Sequence, residues 1–268
     1  MKMKNVKKIL SMILVCIMVG TFLAGCSESH KDWEEIGPKG KMIIGMTDFI
    51  PMNYKDGDGK WIGFETEFAE AVCEILGVDP EFIEIDWGSK ETELKSKNID
   101  CIWNGMTVTP AREKEVDFSV HYMTNRQVVV TRSGNEDKYQ NADGFEGAVV
   151  VAEQGSTGES TAQEDEFFSK ATYNAVDKQI TALLEVKSGT ADVAVVDYFI
   201  AANAINGEYG DLVIVNKTFP DEEYAIAFRK NSPKTLEKVN DAIKQLQSNG
   251  KLKEIADNYG LYDLILLK

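Results

Sequence analysis

Two charged residues have the types and positions needed to bind a polar ligand. Arg112 is the third residue of a helix predicted to begin at Thr109-Pro110, because threonine caps helices and proline suits their first position. Its planar guanidinium can donate two parallel hydrogen bonds to a carboxylate. Asp197 follows the apolar run 193–196, so its carboxylate lies at the carboxyl end of a predicted strand and can accept from a cation. The alternatives are a solvated surface charge for Arg112 and a helix N-cap for Asp197.

Short apolar runs alternate with amphipathic stretches from Lys41 onward, which predicts an α/β fold with largely parallel sheets. Parallel sheets bind ligands at the carboxyl ends of their strands, where Asp197 is expected. Strands are predicted at 42–44, 81–85, 99–103, 127–131, 148–152, 193–196, 212–215 and 224–228. Helices are predicted at 64–76, between 85 and 99, from Thr109, at 180–187 and in two segments after Ser232.

Motifs of other chemistries are weak or absent. The run Asp56-Gly57-Asp58-Gly59 predicts a hairpin turn, since Lys60 and Trp61 occupy the next ligand position and the obligatory glycine position of a calcium loop. The glycine motifs that bind dinucleotides and phosphates are missing, and no nucleophile elbow accompanies His121. We therefore expect neither a cofactor nor a catalytic residue.

The composition narrows the possible partners. The 268 residues include 29 Lys+Arg and 44 Asp+Glu, a formal net charge of −15, which excludes nucleic acid because phosphate binding needs a basic surface. With 4 Cys, 2 His and no Cys/His cluster, neither a disulfide scaffold nor a multi-histidine metal site is expected. Cys73 and Cys101 lie in apolar stretches, which favours buried free thiols, with a disulfide between them as the alternative.

The N-terminal segment predicts export. An apolar run over 9–22 has the pattern of a secretory signal peptide, and the basic head before it contains Lys2, Lys4, Lys7 and Lys8. The segment Leu23-Ala24-Gly25-Cys26 resembles the lipobox of bacterial lipoproteins, in which cleavage precedes the cysteine and its sulfur receives a diacylglyceryl group. The alternative is an ordinary signal peptide with an incidental cysteine.

Cleavage after residue 25 would remove four of the 29 basic residues and no acidic one, which leaves a net charge near −19. Residues 1–25 are therefore assigned to a lipoprotein signal peptide, and 26–40 to the lipidated Cys26 and a polar tether. The expected location is extracytoplasmic, with a lipid anchor in the cell membrane.

From about Lys41 to Tyr259 the chain resembles the polar amino-acid solute-binding proteins of ABC importers. The resemblance depends on the order and spacing of several segments across nearly the whole mature chain. These segments are Thr47-Asp48-Phe49-Ile50-Pro51, Ile62-Gly63-Phe64-Glu65, Leu94-Lys95-Ser96-Lys97-Asn98-Ile99-Asp100, Asn104-Gly105-Met106-Thr107-Val108-Thr109-Pro110-Ala111-Arg112, Asp117-Phe118-Ser119, Gln154-Gly155-Ser156-Thr157 and Ala191-Asp192-Val193-Ala194-Val195-Val196-Asp197.

The resemblance implies a type II periplasmic binding protein-like fold, with two α/β lobes joined by two hinge strands that close on a ligand. Lobe 1 is expected over 41–124 and 222–268, and lobe 2 over 125–221. The crossings are expected near 122–126 and 218–222. The implied function is the extracytoplasmic amino-acid-binding component of an ABC importer, a monomer that delivers a polar L-amino acid to the permease subunits.

For the ligand, the resemblance implies that Arg112 binds the carboxylate, assisted by backbone N–H groups near Thr107 and Thr157, and that Asp197 binds the ammonium group. This fits a zwitterion, because two charges that are desolvated together must each be paired and hydrogen-bonded. The further expected ligand-binding residues are Asn104, Gly105, Ser156, Phe49, Trp87, Asp48 and Glu153.

Phe49 and Trp87 are expected as walls around the ligand's side chain, with packing in the core as the alternative for each. Asp48 and Glu153 are expected beside this side-chain pocket. Two carboxylates there favour a cationic or strongly polar ligand.

Two other classes of protein stay open at this point. An enzyme on the same scaffold, similar to a cyclohexadienyl dehydratase, would need a general acid or base in the cleft, for which only Asp48 and Glu153 are spare. A ligand-binding sensor would have to signal through a partner, since no second membrane segment or signalling domain is expected in the sequence.

Overall fold

The structure is a computed structural model that describes residues 32–217 and 219–267. The predicted signal peptide and Cys26 lie outside the described residues, as does Thr218 at the second predicted crossing. Within the described ranges, no helix is long and apolar enough to cross a membrane.

The described part of the chain alternates helices with strands. Its helices are α1 (Asp32–Lys39), α2 (Phe64–Leu76), α3 (Lys90–Lys95), α4 (Arg112–Glu115), α5 (Thr157–Glu164), α6 (Gln179–Ser188), α7 (Tyr198–Asn206), α8 (Pro233–Ser248) and α9 (Lys251–Asn258). Its strands are β1 (Lys41–Met46), β2 (Tyr54–Lys55), β3 (Trp61–Ile62), β4 (Asp79–Glu84), β5 (Cys101–Ile102), β6 (Val116–Phe118), β7 (Met123–Arg132), β8 (Val149–Glu153), β9 (Thr172–Val176), β10 (Val193–Asp197), β11 (Leu212–Ile214), β12 (Asp221–Tyr224) and β13 (Ala227–Arg229).

These strands form two main sheets, one for each lobe. The first has the order β4-β1-β5-β13-β6, and the second has the order β11-β7-β10-β8-β9, with β12 paired to β7. Parallel pairs join β1 to β4 and β5, and β8 to β9 and β10, whereas β13 and β7 are antiparallel to their neighbours. The predicted two-lobed α/β fold is confirmed, and antiparallel strands are added to its parallel pairs.

Strands β7 and β12 connect the two sheets. The first half of β7 pairs with β12 from Met123↔Tyr224 to Arg126↔Asp221, and its second half pairs with β10 in the second sheet. Strand β7 is therefore continuous from the connection between the sheets into the second sheet. Both predicted crossings, near 122–126 and 218–222, fall on or beside this strand pair.

The strand predicted at 224–228 is wrong in one respect, because two strands occupy this region. Tyr224 ends β12, and Ala227 begins β13 in the other sheet. Between them, the N–H of Ala225 donates to Met106 O at 3.1 Å and that of Ile226 donates to Ser119 Oγ at 2.9 Å. The apolar run is continuous, but the chain changes its pairing partner inside it.

The sequence pattern also missed β6, β9, α5 and α7. Strand β9 is an edge strand whose residues are all exposed or half-buried, and its sequence has no long apolar run. Helix α5 is polar along most of its length, and only Gly158 and Ala162 are buried. Strand β9 and helix α5 are therefore held by their neighbours rather than by a strong sequence pattern of their own.

Several local predictions are confirmed. Helix α2 ends where Gly77 adopts a left-handed φ of 68° and caps it. The Asp56 turn joins β2 to β3, and Asp56 Oδ1 accepts from the N–H groups of Asp58 and Lys60, both at 2.9 Å. Cys73 and Cys101 are free and buried, and burial raises the pKa of both thiols.

The N-terminal boundary of the folded protein differs from the prediction. Residues 32–39, expected in the tether, form α1, whose Asp32 and Ile36 are buried on one face. Asp32 Oδ2 accepts from Arg229 Nε at 3.0 Å and from Ser232 Oγ at 2.6 Å. The partners lie nearly 200 residues away in sequence, so a local pattern could not reveal the contact.

Arg229 is the centre of a buried cluster that fixes α1 to the first sheet. Its guanidinium is 4% exposed and pairs with Asp32 and, at 3.1 Å, with Asp100. It also donates to the carbonyl oxygens of Leu94 at 3.0 Å and Ile99 at 2.5 Å. Removing the cation would leave two buried carboxylates without their partner.

We expect Arg229→Met to lower the free energy of unfolding by about 3–5 kcal/mol, because breaking a buried ion pair leaves uncompensated charge. Urea denaturation at pH 7 measures this change. The matched control is Lys251→Met, which breaks an exposed pair with Glu254 and should cost less than about 1 kcal/mol. Equal stability of the two variants would contradict this account of the cluster.

Candidate functional site

A small cavity with a volume of about 10 Å³ lies between the two sheets. Ten of the eleven ligand-binding residues expected from the sequence line it, together with one that was not expected, Gln179. The lining consists of Phe49, Trp87, Asn104, Gly105, Thr107, Arg112, Glu153, Ser156, Thr157, Gln179 and Asp197.

The lining residues come from strand ends and helix starts. Glu153 and Asp197 are the last residues of the parallel neighbours β8 and β10. Thr157 opens α5 directly after β8, and Arg112 opens α4 after the loop that follows β5. The site therefore lies at the carboxyl ends of parallel strands, as the alternation of elements predicted.

Arg112 spans the cavity from one lobe to the other. Its Nη1 donates to Thr107 O at 2.8 Å, and its Nη2 donates to Gly155 O at 3.0 Å. Thr109 Oγ1 accepts from the N–H of Arg112 at 3.2 Å, so the predicted cap is present although α4 is only one turn long. Burial lowers the pKa of Arg112 from its ordinary value.

A second cation makes the same crossing. Lys90 is 2% exposed, and its Nζ donates to Gly155 O at 2.9 Å and to Trp87 O at 3.1 Å. Burial and the nearby Arg112 lower the pKa of Lys90 to about 8. Two cations from the side of the first sheet thus converge on a single carbonyl that follows a strand of the second sheet.

The start of α5 supplies a partial positive charge to the cavity. Ser156 caps the helix, since its Oγ accepts from the N–H of Glu159 at 3.0 Å. The first-turn N–H groups of a helix favour an anion beside them. Across the cavity, the hydroxyls of Thr107 and Thr157 lie 3.4 Å apart. This end of the cavity suits a carboxylate.

Asp197 is 6% exposed and surrounded by amide donors. Its Oδ1 accepts from Asn125 Nδ2 at 2.5 Å and from Gln127 Nε2 at 2.7 Å, and its Oδ2 accepts from the Gln179 amide. Gln179 Oε1 in turn accepts from the N–H of Asp197 at 2.8 Å. Asp197 is the N-cap residue of α7 by position, but its side chain makes no capping hydrogen bond to the helix and accepts from the amides instead.

Sequence reasoning missed these amide side chains. Asn125 and Gln127 are polar residues two positions apart in a buried strand, so they point to the same face. Gln127 Nε2 also donates to Thr157 Oγ1 at 2.9 Å. A pair of amides inside an apolar strand was the available signal. Gln179 gave no such signal, since it follows a loop and reaches Asp197 only in the folded chain.

The other end of the cavity is aromatic and acidic. Phe49, Trp87 and Glu153 are 3%, 5% and 5% exposed. Burial raises the pKa of Glu153 to about 8, with a further contribution from the negative charge of Asp197. This carboxyl group has little solvent to stabilise its charge, so a cation beside it would be favoured.

Asn104 and Gly105 shape the wall beside Phe49. The Asn104 side chain is engaged in structural hydrogen bonds, since its Oδ1 accepts from the N–H of Thr47 at 2.8 Å and from Asn53 Nδ2 at 3.0 Å. Gly105 has φ +55°, and a Cβ there would lie 2.6 Å from the Phe49 ring. Glycine is therefore required both by the backbone and by the packing.

Glu65, which sequence reasoning also missed, supports this wall on the side away from the cavity. It is fully buried and accepts from the N–H of Gly105 at 2.9 Å, from Asn53 Nδ2 at 2.8 Å and from the Tyr122 hydroxyl. Burial raises its pKa to about 7, against the lowering effect of these hydrogen bonds.

Asp48 does not line the cavity. It is exposed and borders a separate pocket of about 380 Å³, together with Ile50, Ile180 and Ile200. The reason is local, because successive residues of an extended segment point to opposite sides. Phe49 faces the cavity, and its neighbour therefore faces away.

The family described as bacterial extracellular solute-binding proteins, family 3, matches residues 42–262. The arginine-binding extracellular protein ArtP of Bacillus subtilis (strain 168) is 32% identical over 255 residues, which cover 93% of this chain and 96% of that protein.

Solved structures give the same picture. A substrate-binding protein of an ABC uptake transporter from Streptococcus pneumoniae, with bound histidine, is 28% identical with a TM-score of 0.82 and covers 89% of this chain and 99% of that one. The ancestral amino-acid-binding protein AncCDT-1, a precursor of cyclohexadienyl dehydratase, is 32% identical with a TM-score of 0.77, over 84% of this chain and 98% of that one.

The raised pKa of Glu153 predicts a pH-dependent cost to stability. Its pKa in the folded protein, about 8, is above the ordinary 4.5, so folding takes up a proton between these values and stability falls as the pH rises through them. At pH 8, we expect Glu153→Gln to be more stable than the wild type by about 2–4 kcal/mol, with no difference near pH 4.5.

Urea denaturation at the two pH values measures this effect. The control is Glu164→Gln, which replaces an exposed carboxylate on α5 and should change stability little at either pH. A stability of Glu153→Gln that equals the wild type at pH 8 would contradict the assigned cost of burial.

Proposed function

The chain belongs to the bacterial extracellular solute-binding proteins of family 3, and we propose that it is the amino-acid-binding component of an ABC importer. The observation that carries the proposal is the small cavity between the two sheets, where the guanidinium of Arg112 and the carboxyl group of Asp197 line the same space. A free amino acid has one group for each of them.

The zwitterion would lie with its carboxylate at Arg112 and the start of α5, and its ammonium group at Asp197. Each charge then leaves water only to meet a partner of opposite sign, which offsets the cost of desolvation. The amides of Asn125, Gln127 and Gln179 fix the position of the Asp197 carboxylate, so little reorganisation is needed when the ammonium group arrives.

We assign residues 41–124 and 222–268 to lobe 1 and 125–221 to lobe 2, with β7 and β12 as the hinge. Arg112 then belongs to lobe 1 and Asp197 to lobe 2, and a ligand that bridges them favours the closed state. A closed complex is the form that the permease subunits of the importer would receive.

The side-chain end favours a cationic amino acid. Glu153 is a buried carboxyl group that would gain a partner, and the faces of Phe49 and Trp87 suit the alkyl chain or cation of arginine or lysine. The arginine-binding name of the relative ArtP points in the same direction. We therefore propose that arginine binds more tightly than glutamate.

Binding is preferred here to catalysis. Of the two acid or base candidates for a dehydratase, Asp48 lies outside the cavity and only Glu153 remains. Recovery of the bound amino acid unchanged after prolonged incubation would agree with a binding protein, and its conversion would support the enzyme.

We expect Arg112→Met and Asp197→Asn each to weaken amino-acid binding by about 100-fold or more, because each leaves one ligand charge buried without its partner. Calorimetric titration with arginine, lysine, histidine, glutamine and glutamate measures this loss, while circular dichroism checks that the fold is intact. Lys114→Met, which removes an exposed cation on the same short helix, is the matched control. Unchanged affinity in both cavity variants would refute the assigned site.

The membrane anchor forms a further part of the proposal. Cleavage before Cys26 and acylation of its sulfur would hold the protein at the cell surface, since two acyl chains on one residue suffice for stable anchoring. We expect Cys26→Ser to move the exported protein from the membrane fraction to the soluble fraction. Cell fractionation with immunoblotting measures this change, and Cys73→Ser is the control. Membrane retention of the Cys26→Ser protein would argue against the anchor.

A further inference from the structure

Asp197 shares its amide donors with a second carboxyl group, Glu222 on the hinge strand β12. Asn125 Nδ2 lies 2.5 Å from Asp197 Oδ1 and 2.6 Å from Glu222 Oε1. Gln127 Nε2 lies 2.7 Å and 2.8 Å from the same two oxygens. Two carboxyl groups are therefore bridged by two amides, and Asn125 and Glu222 face each other in the register of β7 and β12.

Asp197 is buried and Glu222 is half-buried, and both accept from the same two amides, so the negative charge of Asp197 disfavours ionisation of Glu222. Burial and the charge of Asp197 raise the pKa of Glu222 to about 7, while the shared amides act in the opposite direction. The other charged or titratable groups around the pair are Glu65, Arg112, His121, Arg126, Glu153, Asp221, Glu223 and Tyr224. Of these, Arg112 is the cation that faces both carboxyl groups.

The two carboxyl groups face different spaces. Asp197 lines the ligand cavity, whereas Glu222 lines a broad surface pocket next to it. The two spaces share Thr107 and Thr157 as a common wall. A proton on Glu222 thus has a path to solvent that does not pass through the ligand.

We propose that Asp197 and Glu222 form a single acceptor for the ligand's ammonium group, which holds one proton when the cavity is empty and releases it when the ligand binds. This inference rests on the proposed function, because it requires an ammonium group at Asp197. The arriving positive charge replaces that of the proton, which passes from the Glu222 carboxyl group to water or buffer. No bond other than this O–H bond is broken.

Proton release on binding tests the pair. L-Arginine is titrated into the wild type and into Glu222→Gln at pH 6 in two buffers that differ in ionisation enthalpy. Glu222→Gln keeps an oxygen that can accept from both amides but has no proton to release. We expect the wild type to release about 0.4 protons more per bound ligand than this variant, because a tenfold preference of the ligand for the ionised pair lowers the pKa of Glu222 from about 7.

The affinities give a second readout that a purely structural role would not move. A protonated Glu222 resembles glutamine, so the wild type and Glu222→Gln should bind L-arginine within about twofold of each other at pH 5.5. At pH 8.5, the wild type should bind about tenfold more tightly, because the ionised pair carries an additional negative charge.

Glu153→Gln separates the other titrating carboxyl group in the cavity. The proton release that remains in the Glu153→Gln variant should disappear as the pH rises past 7. This variant therefore also tests the pair if Glu222→Gln does not fold. Equal proton release from the wild type and Glu222→Gln, or a constant affinity ratio across pH, would overturn the inference and leave the proposed function intact. Failure of every amino acid to bind the wild type would instead overturn the proposed function.

Discussion

The hydrogen bonds from Arg112 to Thr107 O and Gly155 O are the contact on which the rest of the site depends. They join a loop of lobe 1 to the end of a lobe 2 strand, and Lys90 reinforces the crossing at the same Gly155 carbonyl. A cation removed from water needs acceptors, and each of these two gains Gly155 O beside the acceptor on its own side of the cleft, Thr107 O for Arg112 and Trp87 O for Lys90. The shared Gly155 carbonyl therefore links both cations to the other side of the cleft.

The acidic half of the cavity has the opposite character. Burial raises the pKa of Glu153, which lines the cavity, and of Glu222, which lines the neighbouring pocket, so each carboxyl group is costly to ionise in the ligand-free protein. A positive charge beside them would favour their ionised form. These carboxyl groups thus lower the stability of the ligand-free protein, and a bound ligand restores it. Such a loss of stability is common at binding sites.

Much of this arrangement was predictable from sequence. Asp197 directly follows an apolar strand, and Arg112 follows a threonine-proline helix start, so both positions depend on short, local patterns. Gly77 and the Asp56 turn were predictable for the same reason. The strand predicted at 224–228 was not resolved correctly, because apolar character does not show which sheet a residue pairs with. Asp48 does not line the cavity beside Phe49, because proximity in sequence does not determine the side to which a residue points.

The sequence by itself determined the α/β class, the residues that bear opposite charges and the ends of the strands that carry them, because these depend on periodicity and neighbouring residues. Only the tertiary structure decided which polar groups share a space. The bridge from Asn125 and Gln127 to Asp197 and Glu222 joins strands up to about 100 residues apart, and the pairing of Arg229 with Asp32 spans almost 200. Burial and charge pairing arise from such distant contacts, so pKa values follow from the folded chain alone.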